Sequence, residues 1–201
     1  MNLAMKLFGA AAAAFVLPFS GAANAVYQSM PTGAYAAPPI GHYEFCKRVP
    51  VKCSIRTAKP KPLVLTQETW RELIEINSRV NAEIVPQTDM ETWGQEEYWA
   101  YPVNGAGDCD DIVLEKRRQL IDRGFPVSNL LITVVFQPNG EGHAVLTVTT
   151  DRGDFILDNL QARILRWSET AYRFHKRQSA TDTRKWVEIE KRDGDLVGSI
   201  R

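Results

Sequence analysis

The hydrophobic period changes at Pro126: two stretches before it carry apolar residues at helical spacing, and after it they fall in short β-type runs. One helical pattern starts at Thr66 and ends near Pro86, with Trp70, Leu73, Ile74 and Val80 near one face and Glu68, Arg71, Glu72, Glu75 and Arg79 largely opposite. A second begins within Asp108-Cys109-Asp110-Asp111, runs through Ile112, Val113, Leu120 and Ile121, and stops at Gly124 and Pro126. Three β segments follow, 130–136, 143–150 and 155–160, separated by Gly- and Asp-bearing turns; they read as an antiparallel meander. Runs at 162–167, 171–176 and 185–189 extend the sheet. Helices first and strands second predict an α+β fold, with N-terminal helices packed on an antiparallel sheet and Cys109 at a helix N-terminus.

The 201 residues are 44% hydrophobic, enough for one sizeable core, and 24 Lys+Arg balance 24 Asp+Glu. With no long basic run, nucleic acid and anionic lipid are not favoured partners. No Gly-rich phosphate loop and no Cys/His spacing for structural zinc is present. Residues 1–25 read as a cleavable signal peptide: Lys6, the apolar stretch from Leu7 to Phe19, then Ala23-Asn24-Ala25. That stretch is short for a membrane anchor, contains Pro18 and runs into Ser20-Gly21, and nothing after it is long and apolar enough to span a bilayer. A soluble mature protein in an oxidising compartment follows, most simply the bacterial periplasm. Residues 26–45 read as an extended lead segment, outside the core, and residues 46–201 as the folded domain.

Three cysteines in an exported chain leave one unpaired. Cys46 and Cys53 flank a loop-like stretch containing Pro50 and are the expected disulfide, which leaves Cys109 as a free thiol. At a helix start it lies beside unpaired backbone N–H groups and the positive end of the dipole, both of which stabilise a thiolate and can receive an oxyanion. Asp108 is the expected N-cap and Asp111 its capping-box partner. Of three histidines, His42 falls in the lead segment and His175 among Arg173, Lys176 and Arg177, so His143, opening a strand after a Gly-rich turn, is the candidate base. Asp158 sits among apolar residues and needs a partner. A two-residue turn at Asp151-Arg152 pairs strand positions whose numbers sum to 303, which makes Asp158 a diagonal neighbour of His143 on the same face. Asn159 and Asp154 are the alternatives for orienting the imidazole, although Asp154 reads better as a solvated turn former.

The run Gly105-Ala106-Gly107-Asp108-Cys109-Asp110-Asp111, then His143 opening one strand and Asp158 ending the next, resembles the bacterial transglutaminase-like cysteine peptidases of the papain-like superfamily. Met90-Glu91-Thr92-Trp93-Gly94 and the 172–186 tail share the resemblance. It implies a Cys109–His143–Asp158 triad and periplasmic proteolysis of a protein substrate. Some members release surface adhesins under an inner-membrane cyclic-di-GMP receptor, so a surface or exported substrate and such a regulatory partner are expectations of the same kind. Members that bind calcium carry acidic residues on both sides of the Cys; Asp108 and Asp110 are the matching candidates for Ca²⁺, with Asp110 shorter than the usual Glu. The chemistry itself requires no cofactor. Gln95 and Trp93 are candidate side-chain donors to an oxyanion hole. Two readings compete with hydrolysis: transglutaminase-type transfer of the acyl group to an amine, and a non-catalytic peptide-binding module that holds calcium.

Overall fold

The computed structural model describes residues 29–190, so the expected signal peptide lies outside the described residues. Seven strands form one sheet: β1 (Thr32–Ala36), β4 (Leu130–Phe136), β5 (Gly142–Thr150), β6 (Gly153–Leu157), β7 (Leu165–Arg166), β8 (Arg173–Gln178) and β9 (Trp186–Ile189). Their order across the sheet is β1-β9-β8-β4-β5-β6-β7, and every neighbouring pair is antiparallel. A two-stranded parallel piece, β2 (Val85–Pro86) with β3 (Ala106–Gly107), stands apart. The helices are α1 (Ile40–Arg48), α2 (Pro50–Cys53), α3 (Gln67–Glu83), α4 (Asp89–Trp93) and α5 (Cys109–Asp122).

Helix α3 starts where Thr66 and Thr69 exchange side-chain and backbone hydrogen bonds, a reciprocal cap that satisfies two otherwise unpaired amides. It buries Leu73, Ile76, Asn77 and Val80; Ile74, expected on that face, is exposed and Ile76 takes its place. Helix α5 stops as expected: Arg123 is the C-cap and Gly124 follows with φ 90°, a conformation only glycine adopts without strain. Helices α3 and α5 lie against each other, tied at the rim by Arg79 to Gln119 and Arg123 to Glu75. Leu73, Ile76, Val80, Ile112 and Leu120 meet Ala144, Leu146, Val148 and Leu157 of the sheet. Each fully buried Leu, Ile or Val there contributes about 1.5–3 kcal/mol. Val135, Val145 and Ile156 face the other way and are covered by Met30, Trp167, Tyr172 and Ile189.

The lead segment is part of the fold, contrary to expectation. Thr32–Ala36 is an edge strand paired to β9, and Ile40–Arg48 is helical. Its signature is hidden because β1 exposes nearly every residue, so no alternation is selected, and because the buried positions of α1 are Gly41, His42 and Phe45. Gly41 is there for space: a Cβ would stand 2.2 Å from Trp99 Cδ1. His42 is 2% exposed, accepting from Trp186 Nε1 at 3.2 Å, with Gln178 Nε2 3.0 Å from its other ring nitrogen. The disulfide forms between Cys46 and Cys53, joining α1 to α2. Asp154 is not a solvated turn residue: it is buried, and accepts from Met30 N at 2.8 Å and Arg177 at 3.0 Å. Among the described residues no helix is long and apolar enough to cross a membrane.

Candidate active site

The β5–β6 register is the expected one, Leu146 opposite Leu157 and Thr150 opposite Gly153, which leaves Asp151-Arg152 as the two-residue turn. At the far end of the hairpin, Asp158 lies just beyond β6 and His143 near the start of β5. His143 Nε2 is 2.9 Å from Asp158 Oδ1. An ionised carboxylate only accepts, so Nε2 carries the proton and Nδ1 is left with a lone pair. Both side chains are buried.

Asp158 is held from several sides. Oδ1 also accepts from Leu160 N at 3.0 Å, Oδ2 accepts from the Tyr172 hydroxyl at 2.6 Å, and its carbonyl accepts from Asn81 Nδ2 at 2.8 Å. Burial pushes this carboxyl up, but hydrogen bonds from His143, Tyr172 and Leu160 outweigh burial and hold it below its ordinary value. Asn159 does not take this place, and no signal in the sequence had singled out the Tyr172 hydroxyl or Asn81.

Cys109 is the first residue of α5 and is half-buried, and the backbone N–H of Ala144, the residue after His143, acts on its sulfur in favour of the thiolate. This sets the thiol at the His143 end of β5. Burial pushes the thiol well above its ordinary value, and the Asp110 and Asp108 charges add to that. The helix-terminus effect expected to favour a thiolate is therefore outweighed in this charge state.

Asp108 caps α5 by accepting from Asp110 N at 3.3 Å, as expected, but the full capping box does not form. Asp111 faces the Asp108 backbone N–H and also reaches the 99–101 segment, accepting from Ala100 N at 2.7 Å. Gly107 makes room for it, since a Cβ there would meet Asp111 Cβ at 2.8 Å. Helix α4 brings in Asp89, whose carboxylate accepts from Tyr98 N.

One oxygen each of Asp89, Asp108 and Asp111 lie within 4.8 Å of one another, as do ligand atoms of Asp108, Cys109 and Asp110. Crowding and burial raise these carboxyls: Asp111 up to about 7, Asp110 well above the usual range, and Asp89 upward, burial being the largest cause in each. Asp89 Oδ1 and Asp110 Oδ2 are buried without a hydrogen-bond partner among the described residues. Hard oxygen donors, excess negative charge and two orphaned carboxylate oxygens fit a hard divalent cation. Asp108 and Asp110 were legible as neighbours of the Cys, and Asp111 as part of the same first turn; Asp89 was not, because only the docking of α4 on the start of α5 brings it in. Trp93 Nε1 is buried and without a partner among the described residues, whereas Gln95 is exposed.

A comparison with curated proteins finds no match. Among solved structures, calcium-bound LapG of Legionella pneumophila aligns with 62% of this chain and 73% of its own, at 27% identity and a TM-score of 0.51. EGTA-treated LapG aligns with 65% of this chain and 74% of its own, at 26% identity and a TM-score of 0.51. Residues 32–194 match the family described as bacterial transglutaminase-like cysteine proteinase, BTLCP. The mixed helix and antiparallel-sheet architecture is thus the transglutaminase-like one, and the enzymatic reading prevails over the binding module. The chain belongs to the bacterial transglutaminase-like cysteine proteinases and is a cysteine peptidase acting on a protein substrate.

Proposed function

We propose that this peptidase works in the periplasm, exported by a signal peptide over residues 1–25, and hydrolyses a peptide bond through Cys109, His143 and Asp158. The observation that carries the reading is the 2.9 Å hydrogen bond between His143 Nε2 and Asp158 Oδ1, with the Cys109 thiol under the influence of the next residue's backbone N–H. Nδ1 takes the thiol proton as sulfur attacks the carbonyl carbon, and returns it to the leaving amine as the C–N bond breaks. Water, deprotonated by the same nitrogen, then cleaves the thioacyl bond and regenerates the thiol. The backbone N–H at the start of α5 and Trp93 Nε1, a buried donor in want of an acceptor, are the proposed oxyanion donors. The catalytic unit is proposed to begin with β1 rather than at residue 46. An exported or surface protein is the proposed substrate class, and an inner-membrane receptor the controlling partner.

Calcium is proposed to bind at Asp89, Asp108, Asp110 and Asp111, in keeping with the calcium-bound form of LapG. When bound it supplies positive charge that neutralises these carboxylates. The residues around it act as before: Asp108 caps the helix, and relief of its charge and that of Asp110 lowers the Cys109 thiol toward the reactive range.

The test is iodoacetamide alkylation across pH with intact-mass readout, with calcium and with EGTA. Rapid labelling near neutral pH that vanishes in Cys109→Ser and slows in His143→Ala and Asp158→Asn is the expected result. An inert Cys109 in folded protein under every condition overturns the triad.

A further inference from the structure

Helix α5 carries a second unusual residue on the face that holds Cys109. Lys116 is seven residues on, two helical turns, and is 0% exposed. Its Nζ finds no hydrogen-bond partner among the described residues. A buried ammonium without a partner is costly and is retained only where a nearby charge offsets it. Among the described residues the charge that acts on it, favouring the ammonium against burial, is that of Asp158. Tyr172 approaches the same carboxylate from the loop before β8: its hydroxyl is 2.6 Å from Oδ2 and its ring lies 5.7 Å from the His143 ring, centroid to centroid.

We propose that Tyr172 and Lys116 are positioning residues that act through Asp158, Tyr172 fixing the carboxylate plane by its hydrogen bond and Lys116 holding it ionised from the α5 side. This rests on the triad reading above. A carboxylate that keeps its charge and orientation keeps the proton on Nε2 and the Nδ1 lone pair free. Without the hydroxyl, Oδ2 is buried and loses its only described partner. Among the described residues the groups around Asp158 are His143 from β5, Tyr172 from the loop before β8, the Leu160 N–H just beyond it, Lys116 from α5 and, at its backbone carbonyl, the neutral Asn81 from α3. Burial lowers Lys116 to about 7, so its charge is present below neutral pH and is lost as pH rises through that value.

The experiment compares the pH profile of Cys109 alkylation and the His143 imidazole ¹⁵N signals in wild type, Tyr172→Phe, Lys116→Met, Asp158→Asn and His143→Ala, with unfolding midpoints measured in parallel. Lys116→Met removes the charge while keeping an apolar chain in the core, which favours folding. Removing either the donor or the cation raises the pKa of Asp158, whose charge is what keeps Nδ1 a competent base. In both variants the acid limb of the profile therefore moves up by about one pH unit, and the rate just below neutral falls about tenfold. The Nε2–H signal weakens in Tyr172→Phe. Profiles of Tyr172→Phe and Lys116→Met that overlay wild type while Asp158→Asn departs overturn the inference and leave the triad standing. A lowered midpoint with an unmoved profile assigns them a purely structural role and overturns it as well. If His143→Ala and Asp158→Asn themselves react as wild type, the triad is at fault and the inference falls with it.

Discussion

His143 and Asp158 meet at 2.9 Å across neighbouring strands because the two-residue turn Asp151-Arg152, well along the chain from both, fixes the register at a sum of 303. Asp158→Asn keeps the shape but presents an amide that can donate, so Nε2 is no longer compelled to carry the proton. The alkylation rate of Cys109 at pH 7 is expected to fall about 10²-fold in this variant with the unfolding midpoint little changed. A rate equal to wild type would remove Asp158 from the mechanism.

Gly107 and Asp111 test the calcium proposal without touching the nucleophile. In Gly107→Ala the new Cβ must displace Asp111, whose own Cβ would be 2.8 Å away. Calcium titration followed by thermal shift should show a weaker affinity, while the EGTA-treated protein unfolds within a few degrees of wild type. At 100 times the dissociation constant calcium should stabilise the wild type by about 2.7 kcal/mol. No calcium-dependent shift in wild type would eliminate the site.

Gly41 carries a packing prediction. Trp99 fills the place where a side chain would stand, and both residues are buried, so Gly41→Ala should cost about 3 kcal/mol or prevent folding. Urea denaturation measures it, and a loss below 1 kcal/mol would mean that α1 slides without penalty.

The Cys46–Cys53 bridge closes a short loop, so its removal should cost only about 2.5 kcal/mol. In the double Ser variant, denaturation should show that loss while Cys109 alkylation stays at the wild-type rate, since the bridge joins α1 to α2 and not to α5. A change in alkylation would couple the two regions.

Burial, reinforced by the Arg117 charge, lowers His42 from 6.5 to about 4. The unfolded chain therefore takes up a proton on this histidine at a pH where the fold refuses it, and stability falls as pH drops from 6.5 to about 4. The loss approaches roughly 3 kcal/mol at the lower end. Denaturation curves at pH 7.5 and 4.5 should differ less in His42→Gln than in wild type; equal slopes would show that His42 titrates normally in the fold.

Local chemistry made much of this protein legible. The end of α5 follows from Gly124 and Pro126, its start from Asp108, and the β5–β6 register from a two-residue turn; each depends on residues adjacent in sequence. The pairing of His143 with Asp158 was legible for the same reason, as one hairpin carries both. What the sequence by itself determined is the succession of α3, α5 and the β4–β6 meander, the identity of the free thiol and the hairpin that carries His143 and Asp158. Tertiary structure alone decided the rest. Docking of α4 and the 99–101 segment crowds Asp89 and Asp111 onto Asp108, and packing of the loop before β8 and of α5 brings Tyr172 and Lys116 to Asp158. Helix α1 and strand β1 went unread because their burial is dictated by Trp99, Trp186 and β9, far along the chain, and leaves no period in their own residues. Charge and burial are sums over neighbours in space, so the raised thiol of Cys109 and the held carboxylate of Asp158 exist only once those neighbours have been assembled.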